Sequence, residues 1–491
     1  MDVTLKAAEK TTAAHRILLL HSDRGPDFQA AGRAVARDAH GLARLRKFEG
    51  NARQTLLLHR EGRQWLFAGL GEVAKLTRPI FCEAVARAFS ELRAAGGAEM
   101  ALLLPEKLPW PPAEAARYTA EALLMAGYSF HEYRTSSEAP GRSTVELVHP
   151  GGAAPLRRGI REGDAVGRAI ALTRDLINHP AGVAHTDFVR REARRIAKAA
   201  GAKFQEIRGD ALLRKGYRAI HAVGRSGPHP PALAALEYGR RVRGRPTVAL
   251  VGKGVVFDSG GLDLKTTAGM ALMKKDLGGA AIVLGAFQAI AGLKVPVHLV
   301  AVVGLAENAV GPDAYHPGDV LASKSGPTIE ITNTDAEGRV VLADAFALAR
   351  EYKPDYLIDF ATLTGACRTA LGKDIMGLFC EEPGLRRVME AAGEATGDHL
   401  WPLPLWQPYR AKLNSTVADL ANAAADGFGG AITAALFLRE FTGDVAWAHL
   451  DCYGWSDGDS PLFPKGGSGV GVRLAIDVVR RILAGEADAR P

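Results

Sequence analysis

The sequence predicts two α/β domains: a smaller N-terminal domain over residues 1–150, and a larger C-terminal α/β/α domain over 179–491 built on a mostly parallel central sheet. A linker helix over 151–178 joins them. Three observations lead there. In the first third, short apolar runs of strand length alternate with two stretches of helical spacing. Between Val148 and Gly159 the run His149-Pro150-Gly151-Gly152-Ala153-Ala154-Pro155 interrupts both periodicities. Beyond it, strand-like and helix-like segments alternate, which favours parallel strands covered by helices on both faces.

Taken in order, Ile17–Leu20, Thr55–Leu58, Trp65–Phe67 and Met100–Leu104 read as strands. Arg60-Glu61-Gly62-Arg63 reads as a hairpin turn with Gly62 at positive φ. Pro79–Ala95 and Pro112–Ala126 read as helices, each opened by a proline whose missing N–H is harmless in a first turn. A helix from about Ile160 to Ile177 buries Val166, Ile170 and Ile177 on one face and links the domains. After it, Thr247–Val251, Val297–Leu305, Thr328–Ile331 and Tyr356–Phe360 are strand-like, while Gly279–Ile290 and Arg339–Tyr352 are helical. In open sheets of this kind ligands gather at the carboxyl ends of the strands. The charged residues stand there.

Composition narrows the function classes. With 47% hydrophobic and 23% charged residues among 491, the chain can bury an ordinary globular core, which excludes wholesale disorder. Cys82, Cys367, Cys380 and Cys452 are far apart with no CxxC pair, which excludes a disulfide framework or thiolate zinc site and fits a reducing cytoplasm. The start has no basic segment leading a long apolar run, so a cytoplasmic location without membrane association is the expectation. A net charge of +7 admits an acidic partner, and Gly239-Arg240-Arg241-Val242-Arg243-Gly244-Arg245 makes nucleic-acid binding an alternative role. Solvated helix faces account better for arginines such as those of Arg190–Arg195. His131-Glu132 lacks the second histidine of HExxH, Thr135 standing in its place, and no GxSxG elbow is complete.

The charges that remain form a pattern. Gly252-Lys253-Gly254 follows the strand Thr247–Val251, its glycines suited to a sharp turn and to close approach by other groups, and Asp258 comes next. Lys265 follows a glycine-rich turn, Asp276 precedes Leu277-Gly278-Gly279, and Asn333-Thr334-Asp335-Ala336-Glu337-Gly338-Arg339 follows the strand Thr328–Ile331. Asp335 and Glu337, two apart in an extended loop, can converge. Taken singly, Asp276 could be a helix cap, Lys253 a salt-bridge partner, and Lys265 and Arg339 surface charges. Taken jointly, four carboxylates in one pocket repel unless cations neutralise them, and a pair of divalent ions about 3.5–4 Å apart makes a hydrolytic centre. A metal-dependent phosphohydrolase would use the same carboxylates.

The heptapeptide Asn333–Arg339, with Val251–Gly261 and Met270–Ala281, resembles the signature segments of the leucyl (cytosol) aminopeptidase family, M17. Weaker similarity extends through Arg174–Pro180, Ala361–Ala366 and Gly430–Ala435, from Arg174 to Arg473 overall. By position, the resemblance implies one metal on Lys253, Asp258, Asp276 and Glu337, and a second on Asp258, Asp335 and Glu337. It places Lys265 and Arg339 at the two catalytic positions, with bicarbonate held by Arg339. It puts Met273, Thr362, Leu363 and Gly365 beside the substrate. It further implies two divalent ions (Zn²⁺ or Mn²⁺, with Mg²⁺ or Co²⁺ as alternatives), peptide substrates opening with leucine or another apolar residue, attack by a metal-bridging hydroxide, and a homohexamer.

The sequence departs from the family's usual pattern at Ala271, at Leu277, and beyond Asp451 over Cys452–Asp459, the last bearing on substrate preference. As a ligand Lys253 must be neutral, which at pH 7 costs roughly 4.6 kcal/mol against an ordinary lysine pKa. Two adjacent dications offset that cost. Activity is expected to rise above neutral pH as the hydroxide, the substrate amine and Lys253 deprotonate together.

Overall fold

The computed structural model describes residues 3–23, 25–135, 141–458 and 460–487. The chain forms two compact units, one comprising the residues up to Ala171 together with Ser456–Lys465, the other Leu172–Trp455 and the residues from Gly466 on.

The first unit holds β1 (Val3–Ala8), β2 (His15–His21), β3 (Thr55–Arg60), β4 (Arg63–Gly71), β5 (Glu99–Leu103) and β6 (Ser143–Val148). They form one sheet in the order β1-β6-β5-β2-β4-β3, parallel except for the β3–β4 hairpin. At that hairpin Gly62 has φ 74°, as expected, and Glu61 also takes a left-handed φ of 52°. Both central residues with positive φ match the right-handed strand twist. The edge strand β1, its neighbour β6, and the helix Arg33–Arg46 were not anticipated from the sequence. Short half-buried segments such as β1 carry a weak alternation signal.

The connecting helix runs from Ala153 to Asn178, filling most of the linker given as 151–178 and starting ahead of the periodic stretch that opens near Ile160. Pro155 does not break it, because its absent N–H falls in the first turn, where no intrahelical bond is due. The glycines of this helix have a packing role. A Cβ on Gly159 would collide with the Ala113 carbonyl and one on Gly163 with the Arg117 carbonyl, while one on Gly167 would crowd Leu124. At four-residue spacing they let this helix lie directly on Pro112–Ala126.

The second unit holds β7 (Lys203–Arg208), β8 (Ala232–Tyr238), β9 (Thr247–Asp258), β10 (His298–Asn308), β11 (Val320–Ala322), β12 (Thr328–Glu330), β13 (Tyr356–Ala361), β14 (Met376–Phe379), β15 (Leu400–Pro402), β16 (Leu420–Ala421) and β17 (Ala446–Asp451). Eight of them form a mixed sheet in the order β15-β14-β17-β13-β9-β10-β8-β7, parallel across β17-β13-β9-β10. Strands of opposite sense flank that centre at β8 and β14. The helix Gly278–Gly292 packs on β9, β10 and β13 and carries Val472–Leu483 behind it; Glu337–Glu351 also packs on β9 and β10, with Arg218–Gly224 and Gly430–Thr442 against it. The strand expected at Thr328–Ile331 forms as β12, but in a separate small sheet between β11 and β16.

Candidate metal centre

The site grows from β9, which is longer than its apolar run suggests. The backbone does not turn at Gly252-Lys253-Gly254; it stays extended to Asp258. The glycines serve close approach instead, since a Cβ on Gly252 would press on the backbone of Gly279 and Ala280, and one on Gly254 on the Gly304 carbonyl. Pairing with β10 shifts between Ala306↔Val255 and Asn308↔Asp258, so that one extra β9 residue is accommodated. In an unbroken strand, residues five apart would face opposite sides. The bulge resets the alternation and brings Asp258 to the side of Lys253.

Asp276 comes from the short 3-10 turn Met273–Leu277, and Glu337 opens the helix Glu337–Glu351. Lys253 Nζ lies 2.8 Å from Asp276 Oδ2 and 2.8 Å from Glu337 Oε1, and donates to the Thr362 carbonyl at 2.9 Å. Gly338 makes room for it, because a Cβ there would clash with the lysine side chain. Lys265 Nζ lies 2.8 Å from Asp258 Oδ2 and also contacts Asp335 Oδ1. Oxygens of Asp258, Asp335 and Glu337 lie within 4.8 Å of one another, close enough to share a cation.

Lys253, Asp258, Asp276 and Glu337 are only 1–3% exposed, so water screens none of these charges. Burial, then repulsion by Asp258, pushes the Glu337 carboxyl up to about 8 and that of Asp335 up to about 6. Burial alone would lower the Lys253 ammonium; Asp276, Glu337 and Asp258 outweigh it and hold the amine above the ordinary lysine range. Asp276 Oδ2 and Asp335 Oδ1 each lie against an ammonium yet receive no well-formed hydrogen bond. Two lysines thus face four carboxylates, and the remaining acceptors point at one another. That donor set fits hard divalent cations.

A cavity of about 710 Å³ opens on this cluster and is lined by Lys253, Asp258, Lys265, Asp276, Asp335 and Glu337. Met273, Thr362, Leu363 and Gly365 line it too. Thr362 Oγ1 donates to Asp276 Oδ1 at 2.6 Å. Arg339 is not in the lining. It is buried within the first turn of the helix, gives Nη1 to the Asn422 carbonyl at 2.7 Å and leaves Nε without a partner; burial draws its guanidinium down to about 10.

Two residues of the site escaped the sequence reading. Asn308, closing β10, donates Nδ2 to Asp258 Oδ1 at 2.8 Å and to the Thr334 carbonyl at 3.0 Å, fixing the carboxylate's orientation. Asp451, closing β17, accepts from the N–H groups of Leu363 (3.0 Å) and Thr364 (3.2 Å) and from Thr364 Oγ1 (2.6 Å), shaping the loop beside the cavity. Both stand at carboxyl ends of central strands, the position that singled out the other residues. A second group, His185, Asp187 and His229, also clusters, but Arg208 (2.8 Å) and Arg190 (3.4 Å) already pair with Asp187. The basic run lines a different cavity, which includes Asp355.

Residues 171–476 match the family model for the catalytic domain of the cytosol aminopeptidase family, and residues 24–137 match that for its N-terminal domain. The chain belongs to the cytosol aminopeptidase family. It is therefore an M17 metallo-exopeptidase, a hydrolase acting on peptides, and the phosphohydrolase reading falls away. A protein of Geobacter sp. (strain M21) named "Probable cytosol aminopeptidase" is 40% identical over 96% of this chain and 98% of its own. The crystal structure of the cytosol aminopeptidase from Coxiella burnetii superposes with a TM-score of 0.84 at 35% identity, covering 97% of this chain and 99% of that one. The bottromycin maturation enzyme BotP, in complex with Mn, gives 0.85 at 34%, covering 96% and 99%. No helix among the described residues is long and apolar enough to cross a membrane.

Proposed function

We propose that this aminopeptidase holds two divalent cations, one on Lys253, Asp258, Asp276 and Glu337, the other on Asp258, Asp335 and Glu337, with Asp258 and Glu337 bridging. The observation that carries the proposal is the surplus of buried carboxylate oxygens over donors, with Glu337 and Asp335 pushed toward retaining protons when nothing else neutralises them. When bound, such ions acidify water, polarise a carbonyl and hold an amine. Manganese is the leading candidate, because the structure of the similar BotP is a complex with Mn; zinc, magnesium and cobalt are the other candidates.

Lys265 reaches into the cavity between Asp258 and Asp335, where its ammonium can stabilise negative charge developing on the scissile carbonyl oxygen. The unpartnered Nε edge of Arg339 suits a planar anion, and we assign it bicarbonate as general base. Met273, Leu363, Thr362 and Gly365 bound the space for the first side chain, with leucine and other apolar residues as the core substrates. Family membership supports a homohexamer and a cytoplasmic location. The test is release of free amino acids from a dipeptide and aminoacyl-nitroanilide panel by chelated and by Mn²⁺- or Zn²⁺-reconstituted protein. Release only after reconstitution supports the reading; equal release by the chelated protein contradicts it.

A further inference from the structure

We infer that Lys275, Arg368 and Tyr453 form a subsite for a carboxylate on the leading residue of the substrate, so that peptides opening with glutamate or aspartate are cleaved alongside those opening with apolar residues. The inference rests on the aminopeptidase reading above. All three residues line the cavity of the metal centre. The Lys275 ammonium lies 4.8 Å from the centroid of the Tyr453 ring, and the Arg368 guanidinium 5.6 Å from the same centroid. Two cations thus share one aromatic ring.

Lys275 is 8% exposed, almost as buried as Lys253. Lys253 is compensated by two carboxylates and a carbonyl. Among the described residues, Lys275 has no ion pair and its amine donates no hydrogen bond. Asp451 is already engaged by the Leu363–Thr364 loop, and Asp276 by Thr362 and Lys253. Arg368, exposed at the cavity, likewise pairs with no carboxylate there. Contact with a ring face compensates a buried ammonium only in part. A cation left in this state beside a substrate cavity is a receptor for an anion.

The depth of the two cations says which residue supplies that anion. An aminopeptidase admits its substrate N-terminus first, toward the buried carboxylates. Lys275 is adjacent in sequence to Asp276 and buried like it, whereas Arg368 is exposed. A group reaching Lys275 therefore belongs to the first side chain. Tyr453 also lies within Cys452–Asp459, the stretch where the sequence departs from the family's usual ending; Asp459 itself lies outside the described residues.

The experiment compares kcat/KM for Glu-, Asp- and Leu-nitroanilides on the metal-loaded enzyme, and calorimetric binding of L-glutamate and L-leucine, in wild type, Lys275→Met and Arg368→Gln. The expected result is measurable release of glutamate by the wild type and a fall in the Glu:Leu ratio of about ten-fold or more in Lys275→Met, as for loss of one charge-assisted hydrogen bond. Arg368→Gln, at an exposed position, shifts the ratio the same way by less. Leucine release with no glutamate or aspartate release, or a ratio unchanged in both variants, overturns the subsite and leaves the aminopeptidase intact. If no substrate is cleaved, the reading under Proposed function fails, and the calorimetric preference for glutamate, with its loss in Lys275→Met, decides the subsite by itself.

Discussion

Each unit buries ionised side chains, but to opposite ends. In the first, Arg78 pairs with Glu121, with the Tyr118 ring against the guanidinium. In the second, Lys253 and Lys265 face Asp258, Asp276, Asp335 and Glu337. A balanced buried pair holds structure together, and removing one partner strands the other. An unbalanced cluster lowers the stability of the empty protein and marks the place where outside charge is to be bound. Both groups are buried; the second is set apart by its surplus of carboxylates over lysines.

Variants can break that comparison. The largest effect is expected from Lys253→Arg: a guanidinium keeps the charge but cannot surrender its proton to become a ligand. Metal content and turnover should fall together, turnover by about a thousand-fold or more; elemental analysis alongside kinetics checks this, and a variant with normal metal and normal rate refutes the ligand role. Next comes Glu121→Gln, which takes the carboxylate charge away from the buried Arg78 guanidinium and should cost about 3–5 kcal/mol in denaturant unfolding. Glu337→Gln removes a like charge instead, so the metal-free protein should be no less stable than wild type although activity is lost.

A smaller effect is expected in the pH dependence of the metal-free protein. The Glu337 carboxyl rises from an ordinary 4.5 to about 8 in the folded chain, so the folded state binds a proton more tightly than the unfolded. Its contribution is full below about 4.5 and is lost as pH rises toward 8. Tm of the metal-free protein should decline across that window, with the decline flattened in Glu337→Gln and opposed by Mn²⁺. Smallest and most local is Gly163→Ala, which forces a methyl onto the Arg117 carbonyl; it should destabilise the first unit and leave the metal affinity of the second unchanged.

The sequence made the second unit's centre legible because strands buried on both faces read as unbroken apolar runs, and because chemistry collects where they end. Lys253, Asp258, Asp276, Asp335 and Glu337 do converge. The β9 bulge was not legible: nothing in Val255-Val256-Phe257 marks an extra residue, and it is visible only against β10. Asn308 was hidden because an amide at a strand end looks like any loop polar group. At Gly252 and Gly254, and at Gly159 and Gly163, sequence alone cannot separate freedom to turn from absence of a Cβ, and in both places it is the missing Cβ that matters.

The most direct test is equilibrium titration of the metal-free chain with Mn²⁺, read by calorimetry and elemental analysis. Two Mn²⁺ per chain in the wild type, with the stoichiometry or affinity collapsing in both Glu337→Gln and Asp258→Asn, is the predicted result. Binding that both substitutions leave unchanged would contradict the account.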